Sequence, residues 1–297
     1  MTLAVELRSI TKRFGSFVAN EAVSLAVRRG SIHAIIGENG AGKTTLMNVL
    51  FGLLQPDEGE ILIDGQPTQF ANPAAAIAAG IGMVHQHFKL VPSLTVAENV
   101  FLGMEIVKGG LIDHAAQIER TAELSRRFGL KVDPTERVGL LSVGIEQRIE
   151  ILKVLARGAR TIILDEPTAV LTPQESRDLF DIIRNLTADD RTILFVTHKL
   201  HEVMAITDRV TVLRDGKVVD RMVTSETSAR EIIRAMTGRA VNLTVEKRPA
   251  TPGAVVLAAR GLTVATDGGK PVVDHVDLAI RAGEIVGIAG VAGNGQT

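Results

Sequence analysis

The chain has 297 residues, of which 45% are hydrophobic and 23% are charged, which is an ordinary composition for a globular protein. Its 33 basic and 34 acidic residues give a net charge of −1, which argues against nucleic acid as the main partner. The chain contains no cysteine, which excludes disulfide bonds, thiolate metal sites and a cysteine nucleophile.

The N-terminal part of the chain is predicted to form strands that lead into a helix. Residues 4–7 and 23–27 alternate apolar and polar side chains, as half-buried strands do. Ile32–Ile36 is a continuous apolar run, as a buried parallel strand requires. A glycine-rich turn follows this run, and residues 44–54 are then predicted to form a helix.

Strand and helix patterns alternate along the rest of the first 240 residues. Residues 60–63 predict a hairpin edge, and residues 93–158 predict a helical region inserted between strands. Further strands are predicted at 161–164, 192–197, 210–213 and 217–220, and helices at 173–185 and 199–205. This alternation predicts an α/β fold with a parallel sheet.

The end of the chain repeats its beginning. Residues 244–253 hold two prolines, a glycine and three charged residues, which is typical of a linker. Beyond them, residues 280–285 (IRAGEI) align with residues 27–32 (VRRGSI) at an offset of 253. We therefore expect a complete domain at 1–243 and the start of a second copy at 254–297. On this interpretation the chain is a fragment of a longer protein with two copies of the fold.

One segment of the first copy fits the phosphate-binding pattern G-x-x-x-x-G-K-[ST], after a buried strand and before a helix. Backbone N–H groups and the helix N-terminus of such a loop bind phosphate. Lys43 is expected to reach the β- and γ-phosphates, and Thr44 to bind Mg²⁺. The alternative is a glycine-rich turn with a surface lysine. The predicted nucleotide-binding residues of this loop are Gly37, Glu38, Asn39, Gly40, Ala41, Gly42, Lys43, Thr44 and Thr45.

The same pattern recurs in the second copy without its lysine. Gly37 corresponds to Gly290 and Gly42 to Gly295, but Gln296 stands where lysine belongs. A neutral amide supplies no positive charge at the bridging phosphates. This second loop is therefore expected to hydrolyse nucleotide poorly or not at all.

Two carboxylates follow the predicted strand at 161–164. Asp165 ends the strand and is expected to hold Mg²⁺. Glu166 lies one residue further on and is expected to polarise the attacking water. The alternative is a strand that merely ends in polar residues before Pro167.

Two more polar side chains follow predicted strands. Gln86 is expected to touch Mg²⁺ and the attacking water, and His198 to donate a hydrogen bond to the γ-phosphate. The predicted catalytic residues are Lys43, Gln86, Glu166 and His198, and the predicted metal ligands are Thr44, Gln86 and Asp165. The alternatives are a solvated loop glutamine and a structural histidine.

Residues 141–148 (LSVGIEQR) precede an amphipathic helix. Between the glutamine and the acid pair, this segment resembles the signature motif of ATP-binding cassette proteins, and the resemblance covers residues 1–240. It implies a P-loop NTPase core of RecA-like type, with an antiparallel β subdomain and an inserted helical subdomain that carries the signature. It further implies a head-to-tail dimer, in which Ser142, Gly144 and Gln147 contact the ATP of the partner cassette. Phe14 matches the aromatic residue that stacks on adenine in this family; the alternative is a core phenylalanine.

Two departures narrow the resemblance. Val143 and Ile145 replace the glycine and glutamine of the common signature, and Thr172 replaces the aspartate that commonly ends the loop after the acid pair. Both departures, together with the repeated domain, resemble importers of sugars and nucleosides. Residues 85–99 look most like the nucleoside type, because His87 stands where sugar-type proteins usually carry glutamate.

The resemblance implies an ATPase subunit that couples Mg-ATP binding and hydrolysis to uptake of a nucleoside or simple sugar. The implied partners are membrane permease subunits, a substrate-binding lipoprotein, and a second cassette or another copy of the chain, at the cytoplasmic face of the plasma membrane. An alternative is a soluble double-cassette ATPase that acts on ribosomes. The short, proline-containing linker argues against it, because those proteins have a long, charged helical linker.

Overall fold

The computed structural model describes residues 2–239, 250–265 and 271–290. The chain divides into two compact units, Met1–Val241 and Asn242–Thr297. Across the described residues, none of the helices combines the length and the apolar character needed to cross a bilayer.

Four strands of the first unit form an antiparallel sheet. They are β1 (Leu3–Phe14), β2 (Phe17–Arg28), β4 (Glu58–Ile63) and β5 (Gln66–Thr68), in the order β2-β1-β4-β5. The first two strands are longer than the pattern predicts, because register shifts interrupt their alternation. Ser9 and Ala22 have φ values of 49° and 47° at these bulges, which lets the strands continue beyond the break in pattern.

Six further strands form the central sheet. They are β3 (Ile32–Ile36), β6 (Ile81–Val84), β9 (Thr161–Asp165), β10 (Thr192–Thr197), β11 (Arg209–Arg214) and β12 (Lys217–Val223). The order is β12-β11-β3-β10-β9-β6, with parallel pairing except between β11 and β12. All residues of β3, β9 and β10 are buried, as expected where both faces of a sheet are covered. The predicted α/β class with a parallel sheet is confirmed.

The first unit contains eight helices within the described residues. They are α1 (Lys43–Leu50), α2 (Pro73–Ala78), α3 (Val96–Phe101), α4 (His114–Phe128), α5 (Val143–Ala156), α6 (Pro173–Ala188), α7 (Leu200–Ile206) and α8 (Ala229–Thr237). Three of them, α3 to α5, lie in the predicted helical region. That region is not wholly helical, because a hairpin of β7 (Val107–Lys108) and β8 (Leu111–Ile112) turns through two glycines between α3 and α4.

Other boundaries also differ from the sequence predictions. Helix α1 ends at Leu50 and not at residue 54, since Gly52 adopts φ 74° and a Cβ there would lie 2.8 Å from the Asn72 carbonyl oxygen. The sequence analysis missed α2 and α8. Both begin at side-chain caps, Asn72 and Ser228, which are local signals that short helices carry.

Two large apolar clusters hold the first unit together. One packs α3, α4, α5 and α6 against one face of the central sheet, around Ile149, Ile162 and Phe195. The other fills the space between the antiparallel sheet, α1 and the central sheet, around Leu7, Met47 and Val196. Helix α1 therefore lies between two sheets, and its N-terminus is fixed at the carboxyl end of β3.

The second unit contains one hairpin, β13 (Val255–Ala265) paired with β14 (Pro271–Arg281), among its described residues. Gly261 and His275 have φ values of 57° and 48° at its register shifts. The predicted linker is described only at residues 250–253. Gly295 and Gln296 of the second loop lie outside the described residues.

Candidate nucleotide-binding and hydrolysis site

The phosphate loop joins the end of β3 to the start of α1, which is the position the motif requires. Gly42 caps α1 with φ 92°, a left-handed conformation that favours glycine. A Cβ at Gly42 would lie 2.3 Å from the Ala19 carbonyl oxygen. A Cβ at Gly37 would lie 2.3 Å from the carbonyl oxygen of Leu213. Both glycines are therefore needed for the close approach of the loop to neighbouring strands.

Lys43 is buried in the loop and not displayed on the surface. Its Nζ donates to the carbonyl oxygens of Gly37 and Glu38 at 2.8 and 2.9 Å. Burial lowers the pKa of Lys43, and the charges of Glu166 and Asp165 oppose that shift. The interpretation as a surface lysine is therefore wrong, since an ammonium group held inside the loop stands ready to exchange two carbonyls for phosphate oxygens.

The other predicted members of the loop differ in exposure. Ala41 is buried and Gly42 and Thr45 are half-buried, whereas the exposed members are Glu38, Asn39, Gly40 and Thr44. Exposed backbone N–H groups on this side of the loop are available to an anion from solvent.

Asp165 ends β9 and is buried. Burial raises the pKa of its carboxyl, and the Glu166 charge raises it further, while a hydrogen bond from Thr44 and the charge of Lys43 lower it. Its Oδ1 atom is buried without a hydrogen-bond partner. The carboxylate thus lies beside Thr44 and Lys43, at the phosphate loop.

These residues fit a magnesium ion. Mg²⁺ prefers oxygen ligands and usually keeps several waters beside one or two protein ligands and the phosphates of a substrate. The unpartnered Oδ1 of Asp165 and the exposed hydroxyl residue Thr44 are such oxygens. A cation would also compensate the cost of burying the carboxylate.

The backbone of Glu166 is strained. Its φ is 47°, a left-handed conformation that is uncommon for residues other than glycine. Its backbone N–H donates to the Val196 carbonyl oxygen at 2.9 Å, which ties the turn after β9 to β10. Strain of this kind persists only where surrounding contacts enforce it, and it is concentrated at functional sites.

The structure brings Gln86 and His198 to the Glu166 carboxylate. His198 Nδ1 lies 2.9 Å from Glu166 Oε1, and Gln86 Nε2 lies 3.5 Å from Glu166 Oε2. The three residues follow β6, β9 and β10, which are neighbours in the central sheet. Because those strands are parallel, their carboxyl ends meet at one edge, together with the phosphate loop after β3.

The three signature residues occupy the first two turns of α5 and its cap. Ser142 is exposed and makes no side-chain cap bond. A Cβ at Gly144 would lie 2.4 Å from Glu175 Oε1, so this glycine also has a packing role against α6. Gln147 is buried, and its Nε2 has no hydrogen-bond partner. Within the described residues, no hydrogen bond joins the signature to the phosphate loop of the same cassette.

Phe14 lies at the end of β1 and is 48% exposed, so it is not a core residue. The ammonium of Lys12 lies 5.8 Å from the centre of its ring. An exposed ring is available for stacking on a planar base. Its role as an adenine contact stays a prediction.

Sequence analysis missed several side chains that support the site. Asn20 is fully buried in β2, and its Nδ2 donates to the Gly42 carbonyl oxygen at 3.1 Å. Thr168 and Glu202 are buried beside Glu166 and His198, the two residues that follow β9 and β10. The only sequence signal for such residues is polarity at positions that the pattern assigns to the interior.

A phosphate loop, an acid pair and a histidine at one edge of a parallel sheet define a P-loop nucleoside-triphosphatase fold. The ABC transporter family matches residues 20–169 of the chain. The chain belongs to this family.

Two relatives from bacteria match almost the whole chain. The nucleoside import ATP-binding protein NupA of Lactococcus lactis is 47% identical over 99% of the chain, and the guanosine import ATP-binding protein NupO of Bacillus subtilis is 49% identical over 100% of it. The chain spans 58% of the length of each relative. The ADP conformation of MJ1267, an ATP-binding cassette of an ABC transporter, aligns with a TM-score of 0.71 and 27% identity, over 80% of this chain and 100% of that one.

Proposed function

We propose that the chain is the ATP-binding subunit of an ABC importer, and that it binds and hydrolyses Mg-ATP to drive uptake through a separate permease. The observation that carries this proposal is the arrangement around Glu166. Its carboxylate lies within hydrogen-bond reach of His198 and Gln86, next to the loop that buries Lys43. This arrangement suits in-line attack of water on a terminal phosphate.

The residues of the site have different roles in that reaction. Backbone N–H groups of the phosphate loop and Lys43 bind the β- and γ-phosphates. Glu166 accepts a proton from the water whose oxygen attacks the γ-phosphorus, while the bond to the β–γ bridging oxygen breaks and ADP leaves. His198 orients Glu166 and donates to the γ-phosphate. Thr44 and Asp165 would hold Mg²⁺, which neutralises charge on the phosphates when it is bound.

We further propose that the transported molecule is a nucleoside or a simple sugar. The names of the two relatives support a nucleoside, and His87 in the segment 85–99 agrees with that type. The partners would be membrane permease subunits and, indirectly, a substrate-binding lipoprotein, with the chain at the cytoplasmic face of the membrane. Because both relatives are import proteins, the ribosome-acting alternative is not retained.

We also propose that residues 254–297 begin a second cassette, as in a double-cassette protein. The support is the hydrogen bonding at the two bulges of each hairpin. In the first hairpin, the Ala22 N–H donates to Thr11 Oγ1 at 3.0 Å; in the second, the His275 N–H donates to Thr263 Oγ1 at 3.1 Å.

The other bulge repeats in the same way. The Ser9 N–H donates to Ser24 Oγ at 2.9 Å, and the Gly261 N–H donates to Asp277 Oδ1 at 2.6 Å. Two hairpins with bulges at equivalent positions, each closed by a bond from a backbone N–H to a side-chain oxygen, support a common origin. The signature residues Ser142, Gly144 and Gln147 would then serve ATP bound by the other cassette or by another copy of the chain.

The test is Mg-ATP binding and hydrolysis by the purified chain and its Glu166→Gln variant. Calorimetry should detect Mg-ATP binding to both proteins, because Gln keeps the shape of the site. Phosphate release should fall by about a hundredfold to ten-thousandfold in the variant, the usual contribution of a general base. Absence of binding heat at millimolar Mg-ATP, or unchanged phosphate release in the variant, would overturn the proposal.

A further inference from the structure

A buried carboxylate is hydrogen-bonded to residues close to Glu166 and His198, the proposed catalytic pair. Glu202 of α7 is 1% exposed, and both of its oxygens are hydrogen-bonded. Oε1 accepts from Thr168 Oγ1 at 2.5 Å, and Oε2 accepts from Thr197 Oγ1 at 2.9 Å. Thr168 lies two residues after Glu166, and Thr197 directly precedes His198. One side chain therefore bonds both loops that carry the pair.

Lys199 completes this cluster. Its Nζ lies 3.4 Å from Glu202 Oε1, and it donates to the carbonyl oxygen of Thr168 at 2.9 Å and to Thr168 Oγ1 at 3.2 Å. Its backbone N–H donates to Thr197 Oγ1 at 3.0 Å. Each threonine hydroxyl thus donates to the carboxylate and accepts from Lys199. A buried charge is tolerated only when it is paired and hydrogen-bonded, and this one is both.

Apart from this cluster, two bonds connect Glu166 to β10 and to the residue that follows it. The Glu166 N–H donates to the Val196 carbonyl oxygen, and the Glu166 carboxylate contacts His198. The left-handed backbone of Glu166 requires surrounding contacts that hold it in place. The cluster supplies such contacts two residues after Glu166, through the hydroxyl and the carbonyl oxygen of Thr168.

We infer that Glu202 is a positioning residue for ATP hydrolysis: it joins the loop after β9 to the loop after β10, so that Glu166 and His198 stay within hydrogen-bond distance. This inference rests on the proposed function. Glu202 acts through Thr168 and Thr197. The chemical step depends on it, while nucleotide binding at the phosphate loop after β3 does not.

The test compares Glu202→Ala with Glu231→Ala in the same chain. Glu231 is the control for loss of a hydrogen-bonded carboxylate, because it also accepts bonds from two hydroxyls, those of Thr227 and Ser228, but at the exposed start of α8. In Glu202→Ala we expect kcat to fall by about tenfold to a hundredfold, since a displacement near 1 Å costs that much. The KM and the calorimetric Kd for Mg-ATP should stay within about threefold of wild type. In Glu231→Ala, kcat should not change.

Three further variants test the same inference if Glu202→Ala does not fold. Glu202→Gln keeps the shape and one acceptor oxygen, and it should restore part of kcat. Thr168→Val and Thr197→Val each remove one hydroxyl at constant shape, and each should lower kcat with little change in Kd. Combining Thr168→Val with Glu202→Gln should cost less than the product of the two single effects, because both act through one bond.

The inference is overturned if kcat of Glu202→Gln, Thr168→Val and Thr197→Val all stay within twofold of wild type. It is also overturned if Kd weakens as much as kcat falls, because that result indicates general disruption of the fold. Failure of the proposed function looks different: the wild-type chain would then bind no Mg-ATP, or Glu166→Gln would hydrolyse it at the wild-type rate.

Discussion

The β1–β2 and β13–β14 hairpins have the same bulges but differ in burial. Ile10, one residue after the first bulge of β1, is 0% exposed, whereas Leu262, one residue after the equivalent bulge of β13, is 46% exposed. In the first hairpin, the apolar face packs on α1 and the central sheet. The described part of the second unit holds no helix.

This difference separates what local hydrogen bonds contribute to a hairpin from what tertiary packing contributes to it. Bulge geometry depends on bonds between a backbone N–H and a nearby side chain, such as those to Thr11 and Thr263, and these form within one hairpin. Stability depends on what covers the apolar face, because an isolated two-stranded hairpin is marginal in water.

The largest expected effect concerns the apolar residues after the bulges. Ile10→Ala should lower the free energy of unfolding of the first unit by about 2–5 kcal/mol, because it removes buried methyl groups and leaves a cavity. Leu262→Ala should change stability by less than about 0.5 kcal/mol. Urea titrations monitored by circular dichroism measure both. Equal losses in the two variants would contradict the comparison.

The next effect concerns a buried histidine of β3. Burial lowers the pKa of His33 to about 4, with Arg209 and Arg221 adding to the shift, from an ordinary value of 6.5. Unfolding then takes up a proton between these values, so the stability from neutral His33 is present above pH 6.5 and lost as pH falls towards 4. The loss is about 3 kcal/mol over that window.

His33→Gln tests this pH dependence, because a glutamine still offers a hydrogen bond to Thr211, the partner of the imidazole. The free energy of unfolding of the variant should vary less between pH 6.5 and 4 than that of wild type. His275→Gln, at an exposed position in the second hairpin, is the control. An unchanged pH profile in His33→Gln would count against the prediction.

A third prediction concerns the residue that differs between the two phosphate loops. Lys43→Gln gives the first loop the residue that the second loop has at position 296. Because a hydrogen bond to a charged group contributes about 1.5–3 kcal/mol, Kd for Mg-ATP should rise roughly tenfold to a hundredfold. Calorimetry measures this change. Wild-type affinity in Lys43→Gln would show that glutamine at this position binds Mg-ATP as well as lysine does, which would contradict the prediction.

The smallest expected effect lies in the bulge bonds themselves. Thr11→Val removes the buried hydroxyl that accepts from the Ala22 N–H and should cost about 1–3 kcal/mol, since that bond is partly shielded from water. Thr263→Val should cost less than about 0.5 kcal/mol, because water can replace the hydroxyl at an exposed site. The same urea titrations apply, and a larger loss in Thr263→Val would reverse the comparison.

Much of the site follows from patterns within a few residues. The phosphate loop requires glycines where it approaches two neighbouring strands, and a lysine at the start of a helix. Both requirements are visible in one contiguous sequence motif. Asp165 and Glu166 were predicted because a buried strand that ends in two acids is itself a local pattern. The parallel sheet was predicted because its strands are continuous apolar runs.

The supporting residues were not predicted because their reasons lie elsewhere in the chain. Burial of the Glu202 carboxylate is tolerated because it accepts a hydrogen bond from Thr168, which lies 34 residues earlier in the chain. Gly144 has little room for a side chain because the Glu175 carboxylate lies against it, and that carboxylate is held at the cap of α6. No spacing rule in the sequence records such contacts.

By itself, the sequence determined the fold class, most of the strands of the central sheet and the phosphate-loop motif, since each depends on periodicity or on a contiguous motif. The tertiary structure decided which loops meet. Parallel strands brought Gln86, Glu166 and His198 to one edge, and buried side chains such as Glu202 joined them. The physical reason is that a buried polar group must find a partner, and only the folded chain brings distant partners within bonding distance.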